Sequence, residues 1–228
     1  MSENADPIAW GEYYEERQTL PAIHAHLSSM EPFIERCVRH FPGKRVLEIG
    51  PGTGLTSVYF QQMGYEVTGL DLDERIVAQC DRLNALFGAE CRFMHGDMFD
   101  MPFPADAFDA CLHQGLMEHF DEADIVRALE MQLRVAKRVI FTVPTVRWRG
   151  GTRGDERMWK GKYWFQILRP FRVVEVFGGA YGSLPDRALN ALDRRVLRGR
   201  LPWLTWPLAL NRAGDLGFVL ARADESKT

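Results

Sequence analysis

The chain has 228 residues, 46% hydrophobic and 26% charged, with a net charge of −3, which suits one well-buried α/β domain and excludes a disordered or fibrous chain. No apolar run approaches the roughly 20 residues of a membrane span, and the N-terminus lacks the basic and apolar regions of a secretory signal, so a cytoplasmic location is expected. The charge is uneven: residues 1–146 hold 12 Lys/Arg against 23 Asp/Glu, and residues 147–228 hold 16 against 8. The C-terminal third therefore faces either an anionic partner or plain solvent.

In chain order, residues 8–40 read as helical with a break near Pro21. From Pro42 short apolar runs alternate with longer amphipathic stretches, the pattern of β-α units on a mostly parallel sheet. Strands are predicted at Arg45–Ile49, Glu66–Leu70, Cys91–His95, Phe108–His113 and Arg138–Val143, with helices at 54–63, 73–87 and 121–134. Residues 147–164 are rich in Gly, Arg and Trp without a sustained period and read as a long loop. Strands follow at 171–177 and 216–222, around a helical and Trp/Pro-rich insertion, 184–211. The chain is thus read as one domain: an N-terminal helical piece 1–41, a core 42–146, a loop segment 147–170, and 171–222 carrying the last two strands. Cys37, Cys80, Cys91 and Cys111 are scattered without a CxxC pair or zinc-like His spacing, so reduced core thiols and no metal are expected.

The strongest local signal is Val46-Leu47-Glu48-Ile49-Gly50-Pro51-Gly52-Thr53-Gly54, an apolar strand running into alternate glycines and then a helix. Glycines let the chain turn sharply and let a ligand lie against the backbone. A dinucleotide fingerprint, GxGxxG/A, would need a small residue where Leu55 stands, and no GxxxxGK[ST] is present. Asp71 closes the second strand, placed to accept from both ribose hydroxyls, a device that nicotinamide sites share. Asp97, in His95-Gly96-Asp97-Met98 after the third strand, is placed to accept from an adenine amine, while a helix-cap or loop role is the common fate of either aspartate. Their order and spacing favour a site for adenosine with a non-phosphate extension.

Four motifs in order, VLEIGPGTG, VTGLDLDE, HGDM followed by Met101-Pro102-Phe103, and FDACLHQGLMEHF, resemble the core of the class I S-adenosylmethionine-dependent methyltransferases, in particular the small-molecule, type 11-like branch. The resemblance covers Val46 to about Val143. It implies a Rossmann-like seven-stranded sheet with an antiparallel last strand and S-adenosyl-L-methionine as cofactor. It also implies that Glu48, Gly50, Gly52 and Gly54 surround the methionine part, Asp71 holds the ribose, Leu72 packs on the adenine, and Asp97 with Met98 reads its edge. Relatives place a lid where Tyr13, Tyr14 and Arg17 stand; these residues either cover the cofactor or anchor the extension.

Methyl transfer from a sulfonium is mostly a matter of positioning and of excluding water, with a base where the acceptor must lose a proton. The segment His113-Gln114-Gly115-Leu116-Met117-Glu118-His119 follows the fourth strand and borders the reaction centre. His119 is the first candidate base and His113 the second, unless they only order the loop; His113 and Gln114 are also taken as cofactor contacts. An Asn/Asp-Pro-Pro-Tyr/Phe motif is missing there, which argues against nucleic-acid amino groups as acceptors. The expected reaction is transfer to N or O of a small molecule, with the basic, Trp-bearing loop 147–164 suited to an anionic one. Alternatives are a lipid or protein acceptor and a non-catalytic regulatory protein that binds the cofactor; the basic, Trp-bearing insertion reads first as a hydrophobic cap or dimer contact and only second as a membrane contact.

Overall fold

A computed structural model describes residues 10–15, 20–148, 155–179 and 214–222. Helices α1 (Trp10–Glu15) and α2 (Leu20–His40) precede the sheet. Pro21 lies in the first turn of α2, where a missing N–H costs nothing. Met30, Phe33, Ile34 and Cys37 are buried at helical spacing along α2, a stripe worth about 1.5–3 kcal/mol for each large apolar side chain.

The strands are β1 (Arg45–Ile49), β2 (Glu66–Asp71), β3 (Arg92–His95), β4 (Phe108–Gln114), β5 (Ala136–Pro144), β6 (Arg172–Gly179) and β7 (Asp215–Ala221). They form one seven-stranded sheet in the order β3-β2-β1-β4-β5-β7-β6. β1 to β5 are parallel, whereas β7 runs antiparallel to both β5 and β6. The Rossmann-like arrangement implied by the motifs is therefore present, with β7 threaded between β5 and β6.

Side chains alternate across the sheet with a period of two. Leu47, Leu70, Cys111, Phe141 and Phe218 enter the core shared with α5 (Glu122–Val135) and α6 (Gly161–Ile167). Val46, Val67, Leu112, Ile140 and Val219 enter the opposite core, shared with α2 and with α3 (Leu55–Gln62) and α4 (Glu74–Leu86). An ion-pair cluster ties α2 to β6: Glu175 meets Arg36 at 2.9 Å and His40 at 2.5 Å. Burial alone would raise its carboxyl, but His40 and Arg36 outweigh that and hold it below its ordinary range.

Within the stretch read as a loop, α6 begins at Gly161 and Trp164 is fully buried. Trp159 and Tyr163 pack against the same core, so the described aromatics of this segment anchor it. The insertion 184–211 lies outside the described residues. All four cysteines are buried and free. Among the described residues no helix is long and apolar enough to cross a membrane.

Candidate functional site

The chain turns back between β1 and β4, and at that switch point of the strand order ligands of open α/β sheets bind. A cavity of about 850 Å³ opens there at the carboxyl ends of the strands, within the usual size for small-molecule sites.

The glycine turn forms its floor. Gly50, Gly52 and Gly54 all have positive φ, at 65°, 54° and 77°. Gly50 N–H donates to the Leu70 carbonyl at 2.9 Å and Gly54 N–H to Pro51 at 2.8 Å, which locks the turn onto β2. A Cβ on Gly52 would lie 2.8 Å from the Tyr14 ring, and one on Gly54 would meet the Cys80 sulfur at 3.0 Å. Only glycine fits both the conformation and the space. Glu48 lies beneath the turn rather than on the cavity wall, accepting from the Ser57 hydroxyl at 2.5 Å. Burial pushes its carboxyl up to about 8.

Asp71 ends β2 on the wall, with one oxygen accepting from Asp73 N–H at 2.9 Å. Burial raises its carboxyl to about 6; the charge of Asp73 adds to the rise, while the Asp73 N–H and His95 oppose it. Leu72 lines the cavity and is 69% exposed, an unusual state for a leucine. Asp97 holds its own turn by accepting from Phe99 N–H at 2.8 Å, and Met98 is buried on the same wall.

Tyr14 lines the cavity from α1, with Tyr13 edge-on to it at 4.9 Å. Tyr13 is not among the lining residues, and Arg17 lies outside the described ones.

The segment after β4 divides its two histidines. Gln114 and His119 line the cavity. His113 does not: its ring is fully buried, stacked on Phe141 at 5.0 Å with Gln132 as polar neighbour, and burial lowers its pKa to about 3. A neutral, enclosed imidazole off the wall takes no proton from an acceptor in that cavity. In the turn Met117–His119, His119 Nδ1 meets Asp155 at 2.7 Å. Arg157 stitches this turn to the next segment, its N–H donating to the Glu118 carbonyl at 2.8 Å and its guanidinium to the His119 carbonyl at 2.7 Å.

Beneath the turn, Glu118 is 2% exposed. Burial raises its carboxyl to about 8, and Asp215, Glu156 and Asp155 add to the rise. Burial does the same to Asp215, also to about 8. Of the described part of the segment after β5, the residue that reaches the cavity wall is the acid Asp155, where the basic loop suggested a cationic surface.

Sequence reasoning missed Glu118, Asp155, and the apolar wall of Phe99, Leu116 and Phe120, in which Phe99 and Phe120 meet edge to face at 5.6 Å. Alternation gives no signal for His113, since β4 is buried on both faces from Phe108 to His113; its place inside the strand, one residue before the end at Gln114, is the only mark.

Comparison with known proteins agrees with this geometry. Residues 46–138 match the methyltransferase domain family. The chain is similar to a demethylmenaquinone methyltransferase of Thermus thermophilus, 36% identical over 151 residues, covering 63% of this chain and 65% of that protein. It is also similar to a fatty-acid O-methyltransferase of Mycolicibacterium smegmatis, 43% identical over 75 residues, covering 31% of this chain and 26% of that protein. Less than two thirds of either relative's length is covered. Among solved structures, a SAM dependent methyltransferase from Aquifex aeolicus has a TM-score of 0.63 at 16% identity, over 92% of this chain and 97% of that one, a likeness of fold alone.

Proposed function

From the match of residues 46–138 to the methyltransferase domain family and the likeness to curated methyltransferases, we propose that this chain is a class I S-adenosylmethionine-dependent methyltransferase that transfers the methyl group of S-adenosyl-L-methionine directly, in line, to an oxygen or nitrogen of a small-molecule acceptor. The observation that carries this reading is the charge of the cavity wall. Its lining holds five carboxylates, Asp71, Asp73, Glu74, Asp97 and Asp155, and one guanidinium, Arg75. Arg75 is itself paired with Asp73 at 2.7 Å. Such a wall repels a pyrophosphate and favours an adenosine that ends in a sulfonium and an ammonium. The glycine cradle, which a Cβ at Gly52 would fill, fits the same ligand.

When bound, the cofactor supplies an electrophilic methyl on sulfur; the protein positions the partners and keeps out water. In this reading Gly50, Gly52 and Gly54 let the methionine arm lie on the backbone, with Glu48 supporting the turn from below. Asp71 accepts from the ribose hydroxyls, Leu72 covers the adenine, and Asp97 and Met98 read its edge. Tyr14, backed by Tyr13, closes the site from above, and Arg17 is assigned to the cofactor carboxylate. Gln114 borders the sulfur. His113 acts on the cofactor only through the strand that carries it. His119, oriented by Asp155, serves as base for an acceptor that must lose a proton. We assign residues 1–41 as the lid, 42–146 as the cofactor core, and 147–170 with the insertion 184–211 as the acceptor side.

The two curated relatives act, by their names, on a fatty acid and on demethylmenaquinone. The wall of Phe99, Leu116 and Phe120 is apolar as well, so lipophilic small molecules are the first acceptors to test. The test is calorimetry with S-adenosylmethionine and with NAD, followed by labelled methyl transfer to fatty acids, quinols, phenols and amines. Binding of S-adenosylmethionine with transfer supports the proposal. Binding without transfer to any acceptor points instead to a regulatory protein, and NAD binding alone overturns the cofactor assignment.

A further inference from the structure

We propose that Glu118, His119 and Glu156 form a divalent-cation site at the turn that brings His119 to the cavity, suited to a first-row ion such as Mn²⁺ or Zn²⁺. One ligand atom from each of the three lies within 4.8 Å of the other two. Atoms bound at ~2.1 Å to a common ion are themselves roughly 3–4 Å apart, so small side-chain rotations close the set.

Two independent observations point to a ligand. The first is Glu118: its side chain is enclosed, and its Oε2 has no hydrogen-bond partner. Asp215, Glu156 and Asp155 face it with further negative charge. A buried carboxylate in such company costs several kcal/mol unless a cation or a proton answers it, and no lysine or arginine is paired with it among the described residues. The second is the setting of His119. Its Nδ1 meets the Asp155 carboxylate at 2.7 Å, which makes Nδ1 the donor and puts the ring's lone pair on Nε2. A carboxylate behind a ligating imidazole is the usual second support of a metal-bound histidine. One nitrogen and two carboxylate oxygens suit ions of intermediate softness better than calcium.

An ion there would offset the carboxylates gathered around Glu118 and, through the His119 side chain that lines the cavity, make that wall less negative. With the ion bound His119 is a ligand; in the metal-free protein it keeps the role of base proposed above. The inference goes beyond methyl transfer and does not require it.

The test is a Mn²⁺ titration of the full chain without S-adenosylmethionine, reading free ion by electron paramagnetic resonance, with melting temperature alongside. One ion per chain is expected, lost in Glu118→Gln and weakened about tenfold or more in half-buried Glu156→Gln. Metal-free Glu118→Gln should melt no lower than the parent, because an amide of the same shape replaces a carboxyl whose charged form burial disfavours, while Mn²⁺ raises the melting temperature of the parent alone. Should Glu118→Gln not fold, Glu156→Gln decides. Absence of saturable Mn²⁺ binding, or parent-like binding in the folded variants, overturns the site. Cofactor calorimetry on the same samples separates the two proposals: Mn²⁺ binding without S-adenosylmethionine binding sinks only the transferase reading, and the reverse sinks only the cation site.

Discussion

The two ends of the cavity, which we assign to cofactor and to acceptor, are built by different means. At the cofactor end, β1, β2 and β3 each deliver their contribution within a few residues of the strand: the glycine turn, Asp71 with Leu72, and Asp97 with Met98. At the acceptor end, His119 comes from the turn after β4, Asp155 and Arg157 from a segment 36 to 38 positions later, and Asp215 from the start of β7. The first end is set by backbone geometry, which short motifs record. The second is assembled from charges that meet only after folding.

That contrast can be broken most sharply at His119. We expect His119→Ala to lower turnover by ~10²-fold or more while leaving calorimetric affinity for S-adenosylhomocysteine nearly unchanged. An equal loss in both would show that the two ends are not separable.

Asp71 is the mirror test. Asp71→Ala should weaken cofactor affinity by roughly 10–100-fold through loss of charge-assisted bonds, in a variant whose circular dichroism is unaltered. Its pH dependence follows from the raised carboxyl, about 6. Ribose hydroxyls donate to the ionised form, so affinity is flat above that pH and falls as pH drops through it, approaching about tenfold per unit. Asp73, His95 and Glu48 supply the neighbouring charges, and Asp71→Ala should abolish the dependence if Asp71 is its source.

The smallest effect is expected at Gly52. Adding a Cβ at φ 54° and against Tyr14 costs about 1–2 kcal/mol of folding stability, read as a fall of roughly 2–8 °C in melting temperature. Combining it with Tyr14→Ala should recover the steric part but not the conformational part. Full recovery would mean that the ring alone sets the need for glycine.

The same contrast explains what the sequence shows and what it hides. Strand limits agree with the predicted ones to within a few residues because each strand carries a buried apolar run closed by a turn; β5 begins two residues earlier, at Ala136. The antiparallel end of the sheet came from the family resemblance, since two apolar runs do not state their direction. Helix α6 was missed because its seven residues are too few for a helical period to emerge from a Gly/Arg/Trp-rich stretch. Glu118 escaped notice because a glutamate in a polar turn reads as solvated; its burial depends on residues far along the chain. His113 and His119 look alike in sequence, and only the point where the buried strand ends and the later Asp155 separate them.

The position of β7 carries one more consequence. The stretch that bears every recognisable motif, residues 46–138, ends inside β5, and β5 owes one whole edge to β7. Cutting the chain after Thr145 would bare a long apolar edge, with Val139, Phe141 and Val143 on it, as a template for self-association. The sheet is therefore indivisible although its signature is modular. Any change of the segment we assign to the acceptor is confined to pieces that still return the chain antiparallel along β5, so the third to which we assign specificity is also the closure of the fold.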